Sequence, residues 1–367
     1  STLVHSLTDP ARTWTVDLLH AETYLRYLKE PAQFRKEAEF QLSRNPDTTI
    51  LVDEVQRAPE LLNEVHSLLE SRRCRFILTG SSARKLKRGG ANLLAGRAAV
   101  RHLHPLTFLE LGPRFDLDEV LRHGTLPPVV NAASQEEKRD ILMAYTTMYL
   151  KEEIQAEGIA RNIAGFSRFL DVAADQSGEV INYSSIARDV SLPARTVQNY
   201  FEILEDTLLA FKLEAFTMGA RKRLALHPKT YLFDIGVLNA LNRHLSSEIE
   251  PTRRGKLFEH LVVLETLRLL SYSGSEARAF YWRTNHGAEV DLIVEKNRKI
   301  VAAVEIKAKR SPGTAALSGL RAFREDHPRA HCLLVCEAPN PYELEFATVL
   351  PWGKYFEWLW KELSARR

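Results

Sequence analysis

Short apolar runs alternate with longer helix-prone stretches in the first part of the chain. The runs at residues 14–19, 48–53 and 75–82 have the length and the β-branched content of strands buried on both faces. Between them, residues 21–44 are polar and helix-prone, and residues 60–70 carry leucine and valine at helical spacing. This alternation predicts a parallel sheet with crossover helices.

The pattern changes in the middle of the chain. Residues 107–176 are mostly helix-prone, and further on two short helices are predicted at 185–190 and 194–208, the first with Ser184 as its N-cap. Two strands follow at 209–216 and 230–233. Two helices that are joined by a tight turn and followed by a two-stranded ribbon are typical of a winged helix.

The last third of the chain combines one long helix with several strands. Apolar residues recur at helical spacing through residues 255–270, and strands are predicted at 279–283, 289–294, 299–307 and 332–336. This part of the chain therefore predicts a second α/β region.

Length and composition are those of a soluble protein with several domains. The 367 residues suggest two or three domains, and 45% hydrophobic and 26% charged residues are ordinary for a globular protein. No apolar run approaches the roughly 18 residues of a membrane span, and the net charge of +3 is mild. Cys74, Cys332 and Cys336 are too few and too scattered for a disulfide framework, and no signal peptide is visible. We therefore expect a cytoplasmic protein.

Acidic and hydroxyl side chains follow two of the predicted strands. Asp53 and Glu54 end one strand, and Ser81 and Ser82 end the next. Open α/β sheets bind their ligands at the carboxyl ends of the strands. There Asp53 can hold Mg²⁺ directly or through water, and Glu54 can polarise an attacking water. The serine hydroxyls are suited to sense a terminal phosphate, so we expect a γ-phosphate between the two strand ends.

One arginine near these strands has two interpretations. Arg97 lies on a short segment after Gly89-Gly90, where an arginine can stabilise phosphoryl charge in cis or from a neighbouring subunit. The alternative is a surface or ion-paired arginine. Action from a neighbouring subunit would require a homo-oligomer.

Four motifs together carry a family resemblance. They read LVDEVQRAP from residue 51, FILTGSS from residue 76, LAGR from residue 94 and HPLTFLEL from residue 104. The chain thereby resembles prokaryotic AAA-type P-loop ATPases that carry a nuclease-like C-terminal domain of unknown function. The resemblance implies a P-loop NTPase sheet, with ATP and Mg²⁺ as cofactors.

No phosphate-cradling glycine loop occurs in the sequence, and the resemblance offers an explanation. Ser1-Thr2-Leu3-Val4 looks like the end of the family's loop, which implies that Ser1 binds Mg²⁺ and that Thr2 lies beside the nucleotide. The glycines and the lysine of the loop would then precede residue 1, and we expect an N-terminal truncation. The alternative is that Ser1 and Thr2 form a helix N-cap without a ligand.

Basic and amide side chains accompany the predicted winged helix. Arg195 and Gln198 lie on its second helix, and the cluster Arg221-Lys222-Arg223 lies between its strands. These residues are suited to contact DNA phosphates and bases. The alternative is a protein-interaction or spacer module whose charges are merely solvated.

A further group of charged residues lies in the last third. Strand periodicity puts Glu305 and Lys307 on one face, and Asp291 can lie beside them on the neighbouring strand. Such a set can hold Mg²⁺ and orient water against a phosphodiester. The order Asp, gap, Glu-x-Lys is similar to the restriction-endonuclease-like core, in which Glu259 would match a helix glutamate that completes the metal site.

Alternatives remain for these residues. Glu-x-Lys is common on solvated strand faces, and domains of this type also occur as inactive binding modules. His286 is an additional candidate ligand, although a histidine in a turn is usually just exposed.

The combined prediction is an α/β protein that binds and hydrolyses ATP with Mg²⁺, coupled to a DNA-binding or nuclease-like module. The alternatives are a metal-dependent DNA nuclease regulated by the ATPase part, and a non-enzymatic scaffold. The predicted domains are an ATPase core at 1–110, a helical lid at 111–176, a winged helix at 177–235 and a restriction-endonuclease-like domain at 236–367.

Overall fold

The computed structural model forms two compact units, residues 1–100 with 206–208, and residues 101–205 with 209–367. No helix in the described part of the chain is long and apolar enough to cross a membrane. Only the backbone is described for residues 148 and 149. The residues that the structure describes are 2–71, 73–80, 94, 96–149, 162–217 and 227–365.

The first unit is built on three parallel strands. They are β1 (Thr13–Asp17), β2 (Thr49–Asp53) and β3 (Arg75–Leu78), with β2 in the centre. Asp17 lies beside Asp53 in the register of β1 and β2. Residues 50–53 are buried because β2 has a neighbour on each side and helices packed against it. The predicted parallel sheet is confirmed.

Four helices accompany this sheet in the described part of the unit. Pro31 divides the stretch predicted as one helix, because its ring fixes φ and it has no N–H to donate, so it begins a new helix. Phe34 and Val65 are fully buried on facing helices and pack into the same core as Ile50. The helices are α1 (Thr2–Leu7), α2 (Ala21–Lys29), α3 (Pro31–Arg44) and α4 (Leu61–Ser71).

The second unit begins with helices, and those between residues 117 and 241 in the described part of the chain share one apolar core. Asn182 caps the helix that follows it by accepting a hydrogen bond from the Ser185 N–H at 3.0 Å, so the cap expected at Ser184 was wrong. The helices are α5 (Phe108–Leu111), α6 (Leu117–His123), α7 (Pro127–Val130), α8 (Gln135–Ala144), α9 (Ile163–Asp175), α10 (Tyr183–Asp189), α11 (Ala194–Asp206) and α12 (Ile235–Leu241).

A two-stranded ribbon follows α11. Its strands β4 (Ala210–Ala215) and β5 (Lys229–Leu232) are antiparallel. Val180, between α9 and α10, forms an isolated antiparallel bridge with Lys229. Val180, a few residues before α10, thus pairs with the ribbon on the β5 side.

The ribbon is also part of a larger sheet. The remaining strands are β6 (Arg278–Arg283), β7 (Glu289–Lys296), β8 (Lys299–Lys307), β9 (Cys332–Cys336), β10 (Tyr342–Leu344) and β11 (Ala347–Pro351). Their order is β10-β11-β9-β8-β7-β6-β4-β5. β7 is antiparallel to both of its neighbours, β6 and β8, whereas β9 is parallel to β8. The predicted division between residues 235 and 236 therefore does not separate two sheets.

Helices cover both faces of the larger sheet. They are α13 (Pro251–Ser273), α14 (Ser318–Asp326) and α15 (Trp352–Ser364). Phe258 and Tyr355, on α13 and α15, pack with Val304 on one face. Phe323 of α14 packs with Ala303 on the other face. Adjacent residues of β8 belong to opposite cores because side chains alternate along a strand.

A buried ion pair connects α13 to the first helices of this unit. Arg268 Nη1 donates to Glu265 Oε1 at 2.7 Å and to Thr125 Oγ1 at 3.1 Å, and Nη2 donates to the Phe233 carbonyl at 2.9 Å. The other oxygen of Glu265 accepts from the Phe108 N–H at 2.8 Å. Burial raises the pKa of Glu265 in spite of the arginine. This network fixes two separate backbone segments against α13.

His260 makes the stability of the second unit depend on pH. The side chain is buried, its Nε2 lies 2.7 Å from the Leu232 carbonyl, and burial lowers its pKa to about 4. The unfolded chain, with a histidine pKa of about 6.5, binds the proton more tightly than the folded protein does. We therefore expect His260 to lower the free energy of unfolding by up to about 3 kcal/mol as the pH falls from 6.5 to 4.

Urea unfolding followed by tryptophan fluorescence measures this effect, because Trp282, Trp352, Trp358 and Trp360 all lie in the second unit. The matched variant is His260→Gln, which keeps a donor for Leu232 and does not titrate in this range. A wild-type protein whose stability falls no more steeply than that of the variant would contradict the prediction.

Candidate functional site

The carboxyl ends of β2 and β3 bring an acid and a hydroxyl into contact. Thr79, one residue after β3, donates its hydroxyl to Asp53 Oδ1, and the Glu54 N–H lies 3.4 Å from the same hydroxyl oxygen. The backbone continues this pairing, because the Val55 N–H donates to the Thr79 carbonyl at 3.0 Å. Asp53 is buried, and its Oδ2 has no hydrogen bond to any described residue. One carboxylate oxygen of Asp53 is therefore available to a ligand within the described site.

Glu54 adopts a backbone conformation that is unusual for its type. Its φ is 59° and its ψ 41°, in the left-handed region, which costs a residue with a side chain about 1–2 kcal/mol. Its Oε2 accepts from Gln56 Nε2. Gly80 allows this arrangement, because a Cβ there would overlap Gln56 Oε1. Strain at a carboxylate is typical of functional sites, where the surrounding structure holds the side chain in place.

The other residues predicted for the nucleotide site have different outcomes. Ser1, Ser81 and Ser82 lie outside the described residues. Thr2 is exposed and begins α1, which contributes no buried residue to the core.

Arg97 lies against α4. Its Nη2 contacts Glu70 Oε1 at 2.9 Å, and its Nη1 lies 3.2 Å from His66 Nε2. Its side chain is 44% exposed. In this structure Arg97 is ion-paired at the surface, which is the alternative interpretation of this residue.

A second group of charged side chains lies where β7 begins and β8 ends. Lys307 Nζ is 2.6 Å from Glu305 Oε1 and 3.7 Å from Asp291 Oδ2. The same oxygen of Asp291 accepts the Ile306 N–H at 2.7 Å, which fixes the carboxylate against β8. The structure therefore brings the three residues predicted from the Asp, Glu-x-Lys order together.

Glu259 joins this group from α13, through residues that the sequence did not single out. Its Oε1 accepts the Tyr231 hydroxyl at 3.0 Å and lies 3.4 Å from Lys229 Nζ. Lys229 Nζ also contacts Glu289 Oε1 at 2.6 Å. Both new partners of Glu259 come from β5, so the ribbon after α11 contributes directly to the site.

The carboxylates of this group are crowded. Burial, and then Glu305 and Glu259, raise the pKa of Asp291 well above its ordinary value. Burial also raises the pKa of Glu305, although Lys307 opposes it. For both Lys229 and Lys307, burial alone would lower the pKa, but the surrounding carboxylates outweigh it and raise the pKa. The site therefore contains more carboxyl groups than lysines, with Asp291, Glu305, Glu259 and Glu289 around Lys229 and Lys307.

The donor atoms suit a hard divalent cation. Glu305 Oε2 is buried and has no hydrogen-bond partner within the described structure. A Cβ at Gly319, on α14, would come within 3.3 Å of this oxygen, so the helix leaves it little room. Carboxylate oxygens are the ligands that Mg²⁺ prefers. The residues thus fit a metal by chemistry, yet no described group of three or more His, Cys, Asp or Glu has metal-binding geometry.

The other residues considered for nucleic-acid contact lie at the surface. Arg195 is exposed on α11 and its Nη1 lies 3.4 Å from Gln198 Oε1. The exposed Glu202, one turn further along α11, makes the helix less basic than a typical DNA-reading helix. The cluster at residues 221–223 lies outside the described residues, and His286 is exposed in its turn.

Sequence reasoning missed Thr79, Gln56, Lys229 and Tyr231 as site residues. Thr79 carried a signal, because a hydroxyl directly after a buried strand points to the same sheet edge as Asp53. The signal for Lys229 was weaker: it begins a strand that is otherwise apolar or aromatic, and its partners lie far away in sequence.

Three family models match successive parts of the chain. Residues 1–112 match an AAA domain. Residues 114–248 match a domain of unknown function, DUF8612, and residues 254–355 match another, DUF4143. The AAA match supports the resemblance of the first part to ATPases, whereas the other two matches assign no activity.

Relatives are found in bacteria and archaea. Two uncharacterized proteins, from Mycobacterium tuberculosis and Mycobacterium bovis, are each 28% identical over 268 residues, which cover 72% of this chain and 59% of the relative. An uncharacterized protein of Methanocaldococcus jannaschii is 24% identical over 284 residues, 71% of this chain and 62% of the relative. The chain thus spans about 59% of the length of the mycobacterial relatives. It is similar to an AAA-type domain followed by two domains of unknown function.

Proposed function

We propose that the protein binds and hydrolyses ATP with Mg²⁺ at the carboxyl ends of β2 and β3. The observation that carries the proposal is the contact of Thr79 with Asp53, beside a strained Glu54. The match of residues 1–112 to an AAA domain supports it. The contact gathers an acid, a hydroxyl and a candidate base at the edge where α/β sheets bind ligands.

Each residue has a role in this proposal. Mg²⁺ would neutralise charge on the β- and γ-phosphates. Asp53 would hold the cation through the oxygen that Thr79 leaves available, directly or through water. Glu54 would accept a proton from the attacking water, and Gln56 Nε2 donates to its carboxylate. Ser1, Thr2, Ser81 and Ser82 are the proposed nucleotide contacts.

Arg97 has the least support among the proposed catalytic residues. Stabilising phosphoryl charge requires that it exchange Glu70 and His66 for a phosphate, in cis or on a neighbouring subunit. An exposed ion pair contributes only about 0–1 kcal/mol, so this exchange costs little.

Calorimetric titration of ATP and ADP, with and without Mg²⁺, tests the ATPase proposal. It is carried out on the full-length protein as it occurs naturally. We expect Mg²⁺-dependent binding by the full-length protein, weakened about tenfold or more in Asp53→Asn. Absence of binding by the full-length protein, even with Mg²⁺, would exclude the ATPase proposal and favour a non-enzymatic scaffold.

A second proposed activity is metal-dependent cleavage of DNA by the second unit. Its support is the contact of Asp291 and Glu305 with Lys307, together with the succession of α13, three antiparallel strands, α14 and the parallel β9. This arrangement is that expected of a restriction-endonuclease-like core. The helices α9 to α11, the Val180 bridge and the ribbon support a winged helix that delivers the DNA.

The proposed chemistry follows from the charges at the site. A divalent cation held by Asp291 and Glu305, with Glu259 as the third carboxylate, would polarise the phosphodiester and a bound water. Lys307 lies within contact of both carboxylates and orients the water that attacks phosphorus. The Ile306 N–H donates to the buried carboxylate of Asp291 and fixes its position. This proposed metal ligand therefore varies little in position.

Plasmid cleavage tests the second activity. The double variant Asp291→Ala with Lys307→Ala should lose at least about a hundredfold in cleavage rate while ATP turnover is spared, because metal ligation and water orientation are both removed. The matched control is Glu295→Ala with Lys299→Ala, an acid and a lysine at the other ends of β7 and β8. A wild-type protein that neither cleaves DNA nor binds metal would refute this activity.

A further inference from the structure

A lysine occupies the carboxylate site from the side of the ribbon. Lys229 Nζ lies between Glu289 and Glu259, and its side chain is only 6% exposed. Lysine is almost never this buried unless it is paired. Within the described residues no carboxylate group has metal-binding geometry. In this structure, ammonium groups thus supply positive charge where the proposed cleavage needs a divalent cation.

The backbone holds Lys229 in this place. As the first residue of β5 it pairs with Leu213 of β4 on one side and with Val180 on the other. The neighbouring Tyr281 hydroxyl donates to the His227 carbonyl at 2.6 Å, which fixes the chain just before β5. These backbone contacts hold the start of β5, and with it the Cα of Lys229, beside the two glutamates.

The two contacts of Lys229 are unequal. Its Nζ is 2.6 Å from Glu289 Oε1 but 3.4 Å from Glu259 Oε1. Glu259 has a second donor in the Tyr231 hydroxyl, at 3.0 Å, and its side chain is 27% exposed. Glu259 is thus the carboxylate that Lys229 can give up, while Glu289 keeps the ammonium in place.

We propose that Lys229 is a built-in counter-cation, which neutralises Glu259 in the metal-free protein and yields Glu259 to a divalent cation bound at Asp291 and Glu305. This proposal rests on the proposed metal site of the second unit. A divalent cation carries twice the charge of an ammonium group and competes with it for the same carboxylate. Lys229 is therefore a positioning residue that sets the affinity of the site for metal.

Removing the charge of Lys229 should strengthen metal binding. Lys229→Met abolishes both the competition for Glu259 and the repulsion between ammonium and metal. We expect the Kd for Mn²⁺ and for Mg²⁺ to fall about tenfold or more. Lys229→Arg keeps the positive charge, so its Kd should stay closer to the wild-type value than the Kd of Lys229→Met does.

Calorimetry with MnCl₂ and MgCl₂ on the full chain measures these constants without any need for cleavage. The matched control is Lys256→Met, on the same helix as Glu259, because Lys256 is exposed and pairs with Glu179 instead. Its Kd should not change. Lys229→Gln, which keeps a donor for Glu289, serves as a second neutral variant if Lys229→Met does not fold.

The outcomes separate the inference from the site on which it rests. If the wild type binds no divalent cation, or binds it equally well after Asp291→Ala, the proposed metal site fails. If Asp291→Ala abolishes binding but the neutral variants bind metal no more tightly than Lys229→Arg, only the counter-cation proposal is overturned. It is also overturned if both neutral variants remain unfolded at saturating Mn²⁺, because the metal should then replace the lost charge.

Discussion

Replacing Arg268 by methionine lowers the free energy of unfolding of the second unit by about 3–5 kcal/mol, the range for breaking a buried ion pair from one side. The arginine is 2% exposed, and its removal leaves Glu265, which is fully buried, without its cation. Thr125 and the Phe233 carbonyl lose a hydrogen-bond donor in the same step. Urea unfolding followed by tryptophan fluorescence measures the change.

Two further variants test whether the buried charge is responsible. Arg254→Met removes another ion-paired arginine of α13, but Arg254 is 27% exposed, and we expect a loss of about 1 kcal/mol. Adding Glu265→Gln to Arg268→Met should restore part of the stability, because glutamine is uncharged and still accepts the Phe108 N–H. A double variant as unstable as the sum of its single variants would show that the two charges are not coupled.

Replacing Glu54 by glutamine should reduce ATP hydrolysis by about 10²–10⁴-fold while nucleotide affinity changes little. The reason is that a glutamine cannot accept the proton of the attacking water, and loss of a general base has this magnitude. The side chain keeps its length, so Asp53 and Thr79 retain their contact. Steady-state hydrolysis and calorimetric binding on the full-length protein separate the two effects.

Glu60→Gln is the matched control, because Glu60 is an exposed glutamate a few residues further along the chain. Its hydrolysis rate should equal that of the wild type. If Glu54→Gln hydrolyses ATP as fast as the wild type, Glu54 is not the catalytic base. If the variant loses nucleotide binding together with hydrolysis, Glu54 belongs to the nucleotide or metal site instead.

Where an apolar run sets the boundaries of a strand, the predicted and observed boundaries agree closely. β8 occupies residues 299–307 and β9 residues 332–336, as predicted. Both are central strands of their sheet, so most of their residues are apolar, and the charged residues of β8 lie near its two ends. Asp53, at the end of β2, is placed by the same rule.

Local backbone features were less predictable. The sequence predicted one helix through residues 21–44, yet it divides at Pro31, and α10 uses Asn182 as its cap where Ser184 was expected. The left-handed conformation of Glu54 has no signal in its residue type, because glutamate disfavours it. A helix boundary depends on which side chain accepts a hydrogen bond from the first backbone N–H groups. Several residue types, among them Asn and Ser, can do so equally well.

By itself, the sequence determined the parallel sheet of the first unit, because apolar runs alternate there with helix-prone stretches. It also determined the grouping of Glu305 with Lys307 in the second unit, because side chains alternate along a strand. Only the tertiary structure decided that the ribbon strands β4 and β5 extend the sheet of β6 to β11, and that Lys229 reaches Glu289 and Glu259. These contacts join residues 30 and 60 positions apart in the chain. The register of the strands decides which residues meet, and a buried charge needs a partner of opposite charge. No local pattern of residues predicts either of these.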